Sequence, residues 1–346
     1  MKKILSLGFV SLLFLFLLAA CGSGTSDNGQ SEASDPEEAT SETDGEVYEL
    51  RLGHIATETN PYHLLALEFK ELVEERSEGQ VKINVFANGQ LGQERELLES
   101  MQFGNMDLAV ITSSPVTNFV PEFGILDVPY LFEDWDHVER FLDSDVAEEL
   151  LKETDNVGIN TYAFIPRGFR SVTNSKHPVH TPDDMKGLTL RVIESGVYLD
   201  TINEMGATAT GMPWSDAFTA MQQGAIDGQE NDYSINYTQN VFEVQKYLSL
   251  TEHIFAINTI MSSQTTMEKL PEDLQQLIAD AAVDAAKTIA EHNREQQDVL
   301  KANLLEKGME INEVDKELFM NAVPNTQEKY SQQFGETYFK GITDLR

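Results

Sequence analysis

Short apolar runs alternate with amphipathic stretches along this chain, and that alternation limits its fold more than any other feature. VYELRLG, from Val47 to Gly53, has the period of two that a half-buried strand requires. Asn60-Pro61 then opens a helical pattern running to about Arg76 and stopped at Gly79, because Asn caps free N–H groups and Pro fits the first turn. VKINVF is a second strand, Glu94 to Phe103 a second helix ending at Gly104, and MDLAVIT a continuous apolar strand. The second half follows the same grammar. Thr181-Pro182-Asp183-Asp184 caps a short helix, LTLRVI is a strand, Gly196 to Glu204 a helix, ATATGM a strand and Trp214 to Gln223 a helix. Strands separated by helices predict a mainly parallel sheet with helices on both faces.

An internal echo supports two similarly built halves: the stretches Met101–Asp107 and Met221–Asp227 share the pattern MQxGxxD, a glycine stopping a helix and an aspartate opening a strand. Coincidence between two common helix stops is the alternative. From Pro271 to about Lys307 a helical pattern continues long enough to reach about 55 Å if unbroken, enough to brace both halves. Two helices with a break between them are the other reading.

The N-terminus reads as an address rather than structure. MKK, the apolar run Ile4 to Leu18 and the small residues Ala19-Ala20 make residues 1–20 a signal peptide, too short to span a membrane. Cys21, the one cysteine of the chain, stands directly after the cut in LAAC, which resembles the bacterial lipobox and implies a lipid on Cys21. Cleavage further downstream would instead make Cys21 an ordinary leader residue. From Gly22 to Glu46 the chain has no aromatic, Leu, Lys or Arg, so residues 21–46 are expected to form a lipid-anchored, disordered acidic tether. A single cysteine excludes an intrachain disulfide and a cysteine zinc cluster. Loss of Lys2 and Lys3 with the leader takes the formal charge from −34 to −36, a surface that repels nucleic acid and anionic headgroups.

Motifs for catalysis are absent: the chain has no GxSxG, HExxH, P-loop or GxGxxG after a strand. His177 and His180 form an HPVH pair in a loop setting unsuited to a metal, so no metal, cofactor or catalytic residue is expected. Arginine carries more information. Arg191 sits among Leu188, Leu190 and Val192, at or near the end of a buried strand, where a guanidinium requires a carboxylate partner. Its planar fork suits a bidentate grip on a ligand carboxylate. A structural salt bridge to one of the many acidic residues is the alternative role.

The segments RGFRSVTNS, PDDMKGLTLRV, GATATGMPWSDAFTAMQQGAIDGQEN and VFEVQKYLSLTEH, in this order, resemble the DctP family of solute-binding proteins of tripartite ATP-independent periplasmic (TRAP) transporters. GQLGQERELLESMQFGNMDLAV upstream and LPEDLQQLIADAA downstream extend the resemblance over essentially the whole domain. The resemblance implies a two-lobed periplasmic-binding-protein-like α/β fold, with one lobe at 47–166 plus about 257–296 and the other at about 167–256 plus 297–346. It also implies that Arg191 forms the salt bridge to the ligand carboxylate, that Arg170 assists it, that Asn231 holds the same carboxylate and that Trp214 packs on the ligand's carbon skeleton. Asp216 stands where the family commonly has glutamate.

His54, Thr112 and Ser113 match positions of the first lobe that face the cleft, with strand-end or loop capping as the alternative. Arg167 is expected either as a further cation at the pocket mouth or in a surface pair. Glu194, three residues after Arg191, would repel a second ligand carboxylate and accept hydrogen bonds from a hydroxylated one, or else simply offset the arginines. The expected protein is therefore a monomeric, non-enzymatic, lipid-anchored receptor outside the cytoplasmic membrane. It captures a sugar acid or C4-dicarboxylate by hinge closure and passes it to TRAP permease subunits. A sensor for a membrane kinase and an extracytoplasmic sugar-acid enzyme are the competing readings.

Overall fold

The computed structural model describes residues 46–346; the leader, Cys21 and the tether up to residue 45 lie outside the described residues. Nine strands build one mixed sheet: β1 (Tyr48–Gly53), β2 (Val81–Phe86), β3 (Leu108–Thr112), β4 (Ile159–Asn174), β5 (Thr189–Val192), β6 (Thr208–Gly211), β7 (Gly228–Asn231), β8 (Tyr247–Ser263) and β9 (Glu310–Glu313). Their order is β2-β1-β3-β8-β4-β7-β5-β6, with β9 on β8. β1–β3 pair in parallel, as do β5–β7, in the same relative order, giving the two lobes of an α/β fold.

The MQxGxxD echo occupies equivalent places in the two lobes. Asp107 precedes β3 and accepts the backbone N–H of Arg51 on β1 at 2.9 Å; Asp227 precedes β7 and accepts that of Thr189 on β5 at 2.9 Å. In each lobe the aspartate ties the start of the third strand to the first.

The expectation of a mainly parallel sheet needs correcting at its centre. β4 and β8, of 16 and 17 residues, pair antiparallel with each other and with their neighbours β7 and β3. Pro166, Gly168 and two arginines break the apolar pattern of β4, so the segment has no strand signature of its own. Its pairing with β8 shifts register between Pro166 and Gly168. Gly168 has φ +140°, and a Cβ there would come within 2.6 Å of Gln297 Oε1, so only glycine fits the bulge.

The long helix is unbroken. Glu272–Glu306, 35 residues and about 52 Å, packs on the helix Pro61–Arg76, on β4 and on the helix Tyr233–Thr238. β3 is buried on both faces: Leu108 and Val110 join a core with Phe69 and Ile278, while Ala109 and Ile111 join another with Phe123 and Phe141. A third core gathers Leu190, Val192, Tyr198 and Ile202 around the second parallel group. Each such Leu, Ile or Phe contributes roughly 1.5–3 kcal/mol by leaving water, so β3 and β5 are rigid platforms for what their ends carry.

Candidate functional site

Three guanidiniums meet where β4, β5 and β7 lie side by side. A regular strand sends residues three apart to opposite faces. The bulge at Arg167 changes that phase, and Arg167 and Arg170 both line the same small recess. Arg167, 2 % exposed, is neither at a pocket mouth nor on the surface, as expected from sequence, but on the recess floor. Its Nη2 pairs with Asp232 at 2.5 Å, and its Nη1 donates to Tyr62 Oη at 2.6 Å and Asn258 Oδ1 at 3.0 Å. Asp232 in turn caps the helix Tyr233–Thr238 by accepting from the N–H of Ser234. Burial raises the Asp232 pKa, but the Arg167 charge and Ser234 outweigh it and hold the carboxyl below its usual range.

Arg170 is committed as well. Its Nε donates to Glu230 Oε2 at 2.6 Å and its Nη2 to Glu230 Oε1 at 2.8 Å, a bidentate pair that is 1 % exposed on one side and fully buried on the other. The Tyr198 ring lies 5.2 Å from the guanidinium carbon, and His253 Nε2 is 3.4 Å from Glu230 Oε2. Glu230 thus holds two of Arg170's nitrogens, while Nη1 has no protein acceptor among the described residues and Arg170 lines the recess beside Arg191. The β4–β7 register sets Val172 opposite Glu230, which brings the carboxylate beside Arg170.

Arg191 differs from both. It is 4 % exposed, and among the described residues no carboxylate lies within ion-pair distance. Its Nε donates to Met212 O at 3.0 Å and its guanidinium lies 5.4 Å from the Trp214 ring centre, the indole standing at the start of the helix Trp214–Gln222. These contacts fix the plane of the fork, while Nη1 and Nη2 have no protein acceptor among the described residues. Burial, aided by the like charge of Arg170, lowers the Arg191 pKa to about 10 even with Glu230 acting against it. It remains charged at neutral pH.

The inner recess, of about 20 Å³, is bounded by Arg167, Arg170, Arg191, Asn231, Trp214 and Thr112, among others. It shares Ile55, Glu94, Arg191, Ile193 and Trp214 with an outer cleft of about 240 Å³, which adds Glu96, Asn118 and Glu194. Asn231 accepts from Arg167 at 3.4 Å through Oδ1, and its Nδ2 has no protein partner among the described residues. Glu94, missed in the sequence, opens the helix Glu94–Gln102; its Oε1 accepts the Thr112 N–H at 2.7 Å and Tyr62 Oη at 3.3 Å. Burial raises its pKa despite those Thr112 bonds. The available signal was an acid at the first position of a helix following the Gly89-to-Gly92 turn.

Sequence expectation and structure agree unevenly at the remaining positions. Thr112 lines the recess, whereas Ser113 is buried beside it and lines neither cavity. His54 is fully buried with its Nε2 3.0 Å from His63 Nδ1; past the end of β1, the next residue, Ile55, is the one that faces the cleft. Glu194 lines the outer cleft together with Arg191 and forms no ion pair with it. Its carbonyl accepts from Asn118 Nδ2 at 3.0 Å. Asp216 lies outside both cavities, hydrogen-bonded to Ser215 in the first helical turn.

A buried guanidinium held in plane but left without a counter-ion, at the bottom of a cleft between two lobes, is a carboxylate receptor's geometry. Residues 52–334 match the family model DctP, bacterial extracellular solute-binding protein, family 7. The chain belongs to this family. This solute-binding protein is 37 % identical over 291 residues to a solute-binding protein of Verminephrobacter eiseniae, an alignment spanning 84 % of this chain and 87 % of the relative. Among solved structures, a TRAP periplasmic solute-binding protein from Polaromonas bound to D-erythronate is similar at TM-score 0.83 and 32 % identity, covering 86 % of this chain and 98 % of the other. A Shewanella oneidensis counterpart with bound succinate is similar at TM-score 0.83 and 26 % identity, covering 86 % and 99 %. Like its family, it is a binding protein and not an enzyme. No described helix is long and apolar enough to cross a membrane.

Proposed function

We propose that this protein captures a hydroxylated monocarboxylate, a sugar acid, between its lobes and delivers it to the membrane permease of a TRAP transporter. The observation that carries the reading is Arg191, a buried cation whose counter-ion is supplied by no protein residue among those described. Asn231 Nδ2 adds a donor for the same carboxylate. Beyond that anchor the cleft carries more acid than base, with Glu94, Glu96 and Glu194 on its walls against Arg95, whose Nε pairs with Glu99 at 3.0 Å. A second ligand carboxylate would meet like charge there, whereas hydroxyl groups donate to these acceptors. The erythronate-bound relative is consistent with this choice, and the succinate-bound one makes a C4-dicarboxylate the competitor to test.

Closure would turn on the three places where the chain passes between lobes. The lobe limits at 166/167 and 256/257 coincide with the register shift that pairs Pro166 with Ile257 and Gly168 with Ala256. The long helix is tied to this point by Asn293 Nδ2 to Pro166 O and Gln297 Nε2 to Arg167 O, both at 2.9 Å. These contacts support a hinge at the bulge. Anchoring through Cys21 rests on LAAC, and Cys21→Ser would release the protein from the membrane fraction.

A thermal-shift panel of aldonates, uronates, keto acids and dicarboxylates tests the ligand class, since a ligand that binds only the folded state raises the apparent melting temperature. Aldonates or uronates are expected to give the largest rise. Succinate or malate giving it would contradict the acidic-wall reading.

A further inference from the structure

Gln239 follows the helix Tyr233–Thr238 as its C-cap, held by its N–H to Ile235 O at 3.0 Å and by Asn240 in the left-handed region at φ 55° directly after it. Gln239 lines the inner recess together with Arg191, Asn231 and Glu94. Neither end of its amide is hydrogen-bonded to the described protein, and its Nε2 is buried without a partner. An orphaned buried amide donor carries a desolvation cost that a native site offsets through the molecule it binds. Because both ends lack partners, exchanging the oxygen and nitrogen of the amide does not remove the deficit.

Position along the ligand follows from the lining. Gln239 bounds the inner recess and not the outer cleft, so it meets only the first atoms beyond the anchored carboxylate. Arg191 and Asn231 supply donors to the two carboxylate oxygens, and the next ligand atom is the adjacent carbon, C2. Glu94 lies in the same recess with Oε1 engaged by Thr112 and Tyr62, while its Oε2 has no protein donor among the described residues. A hydroxyl on C2 answers both groups, accepting from an amide N–H and donating to a carboxyl oxygen.

We propose that Gln239, together with Glu94, reads the hydroxyl on the carbon next to the ligand's carboxylate, so that the receptor selects 2-hydroxy acids. The proposal rests on the reading of Arg191 as the carboxylate anchor. A 2-deoxy acid leaves both groups unanswered, and a 2-oxo acid satisfies Gln239 but gives Glu94 no proton.

The test is calorimetry on the wild type and on Gln239→Leu, Gln239→Met, Glu94→Gln and Arg191→Ala. One probe set is D-erythronate with 3,4-dihydroxybutanoate, and the other is D-gluconate with its 2-deoxy and 2-oxo counterparts. The wild type is expected to bind each 2-hydroxy acid about tenfold or more tightly than its 2-deoxy partner, the scale of one buried hydrogen bond. Either Gln239 variant should lose about tenfold on the 2-hydroxy acids and change by less than about twofold on the 2-deoxy ones. Glu94→Gln should narrow the gap between 2-hydroxy and 2-oxo acids. Equal losses on both members of a pair, or no loss in either Gln239 variant, overturn the proposal while leaving the anchor intact. If none of the probes binds the wild type, or Arg191→Ala binds them unchanged, the anchor fails and the proposal with it.

Discussion

Arg170 on β4 and Arg191 on β5 border one recess and are equally removed from water, yet their surroundings are opposite. Arg170 has both carboxylate oxygens of Glu230 and the face of Tyr198. Arg191 has one backbone carbonyl and the face of Trp214. A buried ion pair repays its desolvation only when its geometry is good and its hydrogen bonds are complete, and the pair at Arg170 meets that condition. Arg191 has its orientation fixed and its charge unanswered. The first arrangement holds the fold together, and the second reserves its electrostatic energy for a ligand.

The largest effect is expected at the paired arginine. Arg170→Met leaves Glu230 buried with His253 as its remaining partner, and should cost about 3–5 kcal/mol of unfolding free energy, measured by denaturant titration. Arg170→Met with Glu230→Leu should recover most of that loss. Ligand affinity in any folded variant should fall less than it does on losing Arg191.

Asp127 is a buried charge of the opposite sign without a direct cationic partner among the described residues. It is 1 % exposed and, among the described residues, accepts only from Ser114 Oγ at 2.8 Å and Ser195 Oγ at 3.4 Å, with Ser114 Oγ also donating to Tyr198 Oη. Burial raises its pKa to about 7 against the help of Ser114 and the Arg170 charge, while Glu230 adds to the rise. A folded-state value above the unfolded one of 3.8 means that the folded chain holds the proton more tightly. Its contribution to stability is full below about pH 4 and is lost as pH rises toward about 7. Subtracting the pH–stability curve of Asp127→Asn from that of the wild type should expose this slope, on the order of 4 kcal/mol. A flat difference curve would show that the carboxyl is not perturbed.

The smallest expected effect concerns Trp214. Trp214→Ala removes the face that holds the Arg191 fork, worth about 1 kcal/mol or roughly fivefold in affinity. The free protein should also lose some stability, because the partly buried indole packs against two apolar clusters. A loss of stability larger than the loss of binding would assign the indole to the core instead.

Much of this architecture was legible from local pattern. The helix beginning at Pro61, the strand VKINVF and the helix beginning at Gly196 coincide with their observed limits, because caps, glycines and periodicity are properties of a few adjacent residues. β4 and β8 were not legible as strands. Their stability comes from pairing residues about a hundred positions apart, across register shifts that local alternation does not announce. The same non-locality explains the site. Arg191 was identifiable by its apolar neighbours, whereas the fate of Arg170 depended on which residue of β7 lies opposite β4. Glu230, an acid in a strand otherwise facing the core, was the one available sign of that partnership. His54 and Ser113 show that strand phase is not carried reliably past a strand's last residue, where a turn re-aims the side chains.

On this reading Arg191 is unpaired because the ligand pairs it. Calorimetric titration of Arg191→Ala with the tightest-binding sugar acid, alongside the unfolding midpoint of the ligand-free protein, tests it directly. Affinity should be about 30-fold or more weaker, the loss expected for a buried charge partner, with free-protein stability unchanged or raised. Unchanged affinity, or a free protein destabilised as severely as Arg170→Met, would contradict it.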